Sequence, residues 1–175
     1  MALTLVSTSG GATSNSYVAS TTEADSLAAE LGSMLFYGVS TAGYLAASTD
    51  IKTRALILAA QRIDTLPFLG MKQTDSQARE FPRLYMPTSQ MAGVIPDEAK
   101  LAQVAEACSL FTSPTTTQQA MASGLQSFSI GEQSASFGGS GMNTTTQTVS
   151  GQAREILRGA GYIAGDIASV PSIRG

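Results

Sequence analysis

A chain of 175 residues with no histidine leaves any acid–base chemistry to carboxylates, lysine and tyrosine. The adjacent acids Asp97 and Glu98 stand where an apolar-periodic stretch begins. Two carboxylates there complement the positive start of a helix, which explains them without a catalytic or metal role. Glu23 and Asp25 read the same way. Cys108 is the single cysteine and falls on an apolar stripe. It reads as a small buried hydrophobe, not a nucleophile, and it has no partner for an internal disulfide. The glycine run Gly138 to Gly141 is not followed by Lys-Ser/Thr and lacks a clear strand and helix around it, so it is no phosphate cradle. The residues therefore predict no enzyme, no cofactor and no metal site.

Charge points to interaction instead. Lys52, Arg54, Arg62, Lys72, Arg79 and Arg83 are six of the ten basic residues, all within one stretch. They could form a DNA-facing or partner-facing patch, but Asp50, Asp64, Asp75 and Glu80 lie among them, and local charge balance is the simpler reading. Arg83 follows a proline, and its planar five-donor fork suits a fixed carboxylate; Asp64 is the expected partner. Tyr17, Tyr37, Tyr44 and Tyr85 could stack bases, although scattered tyrosines more often serve a core or an interface. Net charge is −3, which argues against a nucleic-acid footprint of the usual basic kind.

Only 13% of residues are charged, against about 25% in a typical soluble domain. Ser, Thr, Gly, Gln and Ala, or other protein, must cover the surface. The start of the chain lacks the charged head and apolar core of a signal peptide, and the longest apolar run, Ala55 to Ala60, is far short of the ~20 residues that span a membrane. No targeting or membrane insertion is expected, and the lone cysteine suits a reducing cytoplasm.

The elements that must position these groups follow from local signals. Leu3 and Leu5 alternate ahead of turn-forming residues, which predicts an extended N-terminal arm over 1–19. Ser20-Thr21-Thr22-Glu23 is a capping box, with Glu23 expected on the Ser20 amide. A helix should start at Thr21, carry Ala24, Leu27, Ala28 and Leu31 on one face, and stop at Gly32. Residues 34–48 read as a packed connection with at most one helical turn. The strongest helix signal runs from Thr49 or Asp50 to Leu66, with an apolar face too wide for a peripheral helix, and Pro67 ends it. A long loop reaches Val94, anchored by Phe68, Leu69, Phe81, Leu84 and Tyr85. Pro96 suits the first position of a helix whose stripe is Leu101, Val104, Ala105, Cys108 and Phe111. Beyond Pro114, two short alternations around Gly131-Glu132 predict a β-hairpin, the glycine run a hinge, and Ala153, Ile156, Leu157 and Ala160 a last short helix.

Several of these features also carry a family resemblance. A helix ending in Ile63-Asp64, then Phe68-x-Gly70, Gln77, the triplet Phe81-Pro82-Arg83 and Ile95-Pro96 at the next helix resembles the adaptor, or head-completion, proteins of tailed-bacteriophage necks. Asn15-Ser16-Tyr17-Val18 and Glu23-Ala24-Asp25 fit that family's opening, Tyr44 stands in for a large aromatic, and the likeness spans about Asn15 to Phe111. Some relatives of that family are labelled single-stranded DNA-binding. The resemblance implies a virion neck protein, assembled in the host cytoplasm, that forms a ring of about twelve copies with closed symmetry. Such a ring would join the portal protein to a tail or stopper protein, with genomic DNA passing through its lumen without sequence-specific contact. The alternative is a single-stranded DNA-binding module, with a basic, aromatic-lined groove and salt-dependent affinity.

The fold expected is mainly α: a bundle of three to four helices with a long inter-helix loop over 20–113, then a hairpin, a hinge and an extended C-terminal arm over 114–175. That last segment cannot build its own core. It should dock on something, and the resemblance implies that Phe128, Ile130, Phe137, Ile156, Leu157 and Tyr162 meet the portal or a neighbouring copy; truncation at residue 138 is expected to leave the helical domain folded.

Overall fold

A computed structural model of the chain describes residues 3–9, 11–34, 37–84, 93–111, 127–130, 133–136 and 149–163, the two four-residue strands by backbone alone. The protein is mainly α-helical with a small antiparallel hairpin. Among the described residues the helices are α1 (Thr21–Ser33), α2 (Ala42–Leu45), α3 (Thr49–Ile63), α4 (Asp97–Ser109) and α5 (Gly151–Gly159). Strands β1 (Met71–Lys72) and β2 (Arg83–Leu84) pair within the α3–α4 connection, and β3 (Ser127–Ile130) pairs with β4 (Gln133–Ser136). The chain divides into two units, one of residues 1–111 with 149–175 and one of residues 112–148.

Within the first unit α4 is the axis, packing against α1, α3 and α5. Alanine makes this possible, since small side chains let several helices approach one helix closely. Ala99, Ala102, Val104, Ala105, Ala107 and Cys108 are all buried, so α4 is enclosed nearly all round; the predicted stripe was too narrow. Its neighbours contribute Ala24, Ala28 and Leu31 from α1, Ala55, Leu56, Ala59, Ala60 and Ile63 from α3, and Ala153, Ile156 and Leu157 from α5.

Two helix ends show how local chemistry sets the bounds. At α1 the Ser20 hydroxyl accepts from the Glu23 amide at 3.1 Å, while the Glu23 carboxylate reaches the Ala19 amide at 2.6 Å, one residue earlier than a capping box predicts. At α5, Gly161 has φ +76°. Its amide donates to Arg158 O at 2.9 Å and the Tyr162 amide to Leu157 O at 2.9 Å, the paired bonds that close a helix through a left-handed glycine. That turn drives Tyr162 into the core, where it is fully buried.

The expected C-terminal arm is corrected by this arrangement. Ile156, Leu157 and Tyr162 are buried among residues of their own unit, so α5 closes the helical core instead of waiting for another protein. The helical domain accordingly extends past residue 113 to include 149–163, and truncation at 138 would remove part of its core. The N-terminal stretch is also more than an arm: Tyr17 and Val18 are fully buried. Asn15 turns the stretch back on itself, its Oδ1 accepting from the Val6 amide at 2.8 Å and its Nδ2 donating to Thr4 O at 3.0 Å.

In the second unit β3 and β4 pair with Ile130 opposite Gln133, so Gly131-Glu132 joins them as read from the sequence. Phe128 and Ile130 lie on β3. Phe137 and the Gly138 to Gly141 run lie outside the described residues.

Candidate functional site

The α3–α4 connection gathers the residues that stood out in the sequence. α3 ends with Asp64 as its C-cap, and Gly70, at φ +72°, turns the chain into β1 in a conformation that other residues rarely adopt. Register pairs Lys72 with Arg83 and Met71 with Leu84. Arg83 then clamps the turn: its Nε donates to Leu69 O at 2.8 Å and its Nη2 to Gly70 O at 2.8 Å. Below the guanidinium lies the Phe68 ring, 5.5 Å from its centroid, a favourable stacking of cation on aromatic. Gln77 is buried and staples the rest of the loop, giving its Nε2 to Arg79 O at 2.8 Å and Pro82 O at 3.0 Å while its Oε1 accepts from the Thr74 amide at 3.2 Å.

Phe81 is the apolar centre, with a cis peptide to Pro82. Its ring meets Phe68, Tyr162 and Tyr17 edge-on, at centroid distances of 4.9, 5.3 and 5.7 Å. Each such pair adds about 0.5–1.5 kcal/mol beyond its area. The Leu69 amide donates to Tyr162 O at 2.8 Å, so the loop, the N-terminal stretch and the turn after α5 share one anchor.

Charge is arranged in two layers. In the inner one, Asp64 accepts from the Tyr17 hydroxyl, from Arg79 Nη1 at 2.8 Å and from the Glu80 amide at 3.3 Å. Burial pushes the Asp64 carboxyl above the ordinary carboxylate range, and its hydrogen bonds only partly offset that. Burial, then the neighbouring carboxylate, raises Tyr17 well above the ordinary phenol. In the outer layer Glu80 bridges Lys72, at 3.0 Å, and Arg83. The expected Arg83–Asp64 pair is thus corrected: Arg79 takes Asp64, and Arg83 takes the turn carbonyls and Glu80.

Two buried polar residues on α4 escaped the sequence reading. Gln103 is fully buried with its amide fully used: Oε1 accepts from the Tyr17 and Val18 amides at 2.9 and 3.0 Å, and Nε2 donates to Ser16 Oγ at 2.9 Å and Leu56 O at 2.8 Å. Glu106, also fully buried, receives Arg62 Nη1 at 3.0 Å and the Ser150 amide at 2.7 Å, tying α4 to α3 and to the cap of α5. Their four-residue spacing from the buried Ala99, Ala102 and Ala107 was the available signal.

The remaining predicted residues are accounted for locally. Ile95 is buried and Pro96 is the N-cap of α4, one position before the helix. Glu98 accepts from the Tyr162 hydroxyl at 3.1 Å, and Asp97 pairs with Lys100 at 3.4 Å. Glu23 pairs with Lys100 at 3.1 Å and Asp25 with Lys52 at 2.9 Å. Cys108 is buried, and burial pushes its thiol up to about 12. Tyr17 and Tyr44 are fully buried and cannot stack bases; Tyr85 lies outside the described residues. Half-buried aromatics are Tyr37, Phe68 and Phe111. No group of three metal-ligating side chains occurs among the described residues, and none of their helices is long and apolar enough to cross a membrane.

One comparison decides the family. The model of the family described as "Putative DnaT-like ssDNA binding protein" matches residues 1–175. The chain belongs to the DnaT-like family. No curated protein and no solved structure matches it. The match overturns the resemblance to phage neck adaptors and, with it, the portal-to-tail role. Of the motifs behind that resemblance, Phe68, Gly70, Gln77, Phe81, Pro82 and Arg83 contact one another inside the loop, and Asp64 holds Tyr17 and Arg79.

Proposed function

We propose that this protein binds single-stranded DNA through backbone phosphates and base stacking, and that it acts as a binder and not as an enzyme. The observation that carries this reading is the full-length match to a family described by single-stranded DNA binding. The α3–α4 connection suits the task. Phe68 is half-buried with Arg83 over its ring, and Lys72, whose side chain is 36% exposed, pairs with Arg83 across the strands. A ring with one cation over it and a second across the strands offers a start for base stacking, where each stacked base contributes about 1–3 kcal/mol. Arg54 and Arg158 are exposed and add positive potential elsewhere on the same unit.

Six cations, Lys52, Arg62, Lys72, Arg79, Arg83 and Lys100, are paired with the protein's own carboxylates. Binding should therefore be modest and engage few phosphates. For two or three phosphates the slope of log affinity on log salt is about −1.4 to −2. Anisotropy of a labelled oligo-dT, with unlabelled duplex as competitor, tests the reading: saturable binding that duplex displaces only about tenfold less well than single strand supports it. Absence of binding at low salt, or equal displacement by duplex, overturns it.

A further inference from the structure

Glu80 stands out among the charged residues of the loop, because one carboxylate holds two cations that the β1–β2 register has already placed side by side. Lys72 Nζ is 3.0 Å from Glu80 Oε1, and Arg83 Nη1 meets Glu80 Oε2. The Arg83 guanidinium does not depend on that carboxylate for its position. Nε is fixed on Leu69 O, Nη2 on Gly70 O, and the Phe68 ring supports the plane from below. Glu80 itself is anchored by its backbone, whose amide donates to Asp64 and Tyr17 at 3.3 Å. Its side chain, 21% exposed, can thus leave while the loop keeps its path.

We propose that Lys72 and Arg83 form a phosphate seat which Glu80 occupies in the DNA-free protein, so that a backbone phosphate of single-stranded DNA binds by displacing the Glu80 carboxylate. This rests on the single-stranded DNA reading above. The chemistry is a like-for-like exchange: a carboxylate and a phosphate each offer two oxygens to a guanidinium fork and an ammonium. Arg83 is only 7% exposed; the Glu80 carboxylate is the side-chain partner of its Nη1, which also lies 3.4 Å from Glu80 O, and displacement would offer that nitrogen to a ligand beside the 36%-exposed Lys72. The half-buried Phe68 ring lies next to the seat, where the adjoining base would stack. Competition from Glu80 lowers the affinity of every anion for the seat by the same factor, and a strand that also contacts the protein elsewhere has further affinity to offset it.

Glu80→Gln keeps the shape of the side chain and removes its charge. Oligo-dT affinity at low salt should rise about fivefold, the effect of one unit charge near a phosphate in a solvated site. The salt slope should stay close to that of the wild type, because the same phosphate is seated in both proteins. Glu80→Gln combined with Lys72→Ala should lose that gain. Inorganic pyrophosphate, scored by the rise it causes in thermal midpoint, serves as a DNA-free probe of the seat. It should protect Glu80→Gln more than the wild type. If Glu80→Gln gains neither DNA affinity nor pyrophosphate protection while its melting stays cooperative, the seat is overturned, even where the wild type binds DNA. If the variant gains pyrophosphate protection but neither protein binds oligo-dT, the seat stands as a site for free phosphate anions and the DNA reading falls.

Discussion

Two polar clusters sit at opposite ends of one design problem. Around Gln103, in the core, four hydrogen bonds are made by a single uncharged amide that is fully buried. In the α3–α4 loop, Asp64, Arg79, Glu80, Arg83 and Lys72 are charged, and Lys72 and Glu80 are the most exposed of them. A neutral group with every partner in place can only be lost at a cost, so it fixes the N-terminal stretch against α3 and α4. A charged group near solvent can trade one partner for another at little cost. The buried ties of this protein, Gln103 and the Glu106–Arg62 pair, are therefore fixed, and the exchangeable part is the more exposed Glu80–Lys72 contact.

The comparison breaks first at Gln103. Gln103→Ala strips partners from the Tyr17 and Val18 amides, Ser16 Oγ and Leu56 O, and should cost about 3–5 kcal/mol in urea unfolding, several buried groups being left unpaired. A loss under about 1 kcal/mol would mean that water enters and the tie is not structural. The inner pair of the loop should come next. Arg79→Ala leaves Asp64 largely buried without its cation, and about 2–4 kcal/mol should be lost. A double-mutant cycle with Asp64→Asn should show coupling well above that of exposed pairs.

Asp64 also sets a pH dependence. Its folded-state pKa lies above the unfolded value, so the native state holds more protons between the two. The stability due to this carboxyl is fully present below the unfolded pKa and is lost as pH rises through the folded one. Asp64→Asn should therefore flatten a decline in stability above the ordinary carboxylate range, as read by thermal midpoints along a pH series. A steeper decline in the variant would contradict the burial of Asp64. The smallest effect belongs to the outer charge: Lys72→Ala should change stability by no more than about 0.5 kcal/mol. Melting curves that separate clearly would move Lys72 into the structural layer.

What the sequence revealed follows the reach of its signals. The cap of α1, the span of α3 to within three residues and the two-residue connection of β3 to β4 rest on neighbouring residues, and all were legible. Long-range pairing was not. Asp64 lies 15 positions from Arg79, and only the path of the loop decides that Arg79 and not Arg83 reaches it. Gln103 and Glu106 are polar residues in a helix whose enclosure comes from three partners. The burial of α5 was missed because its own apolar stripe is short, although Gly161 followed by Tyr162 carries the signature of a helix closed by its glycine and anchored by the next residue. The aromatic-Pro-Arg triplet was read as a mark of neck proteins, which the family match overturns; in the structure its residues serve the loop itself.

The account rests on the loop being where DNA is held while the core stays fixed. Measuring oligo-dT affinity of wild type and Lys72→Ala by anisotropy across a salt series, from about 20 to 200 mM, tests this directly. The account predicts weaker binding by the variant at low salt, a slope shallower by about 0.7, and convergence of the two proteins as salt rises. Superimposable salt curves for the two proteins would contradict it and place the DNA on another face.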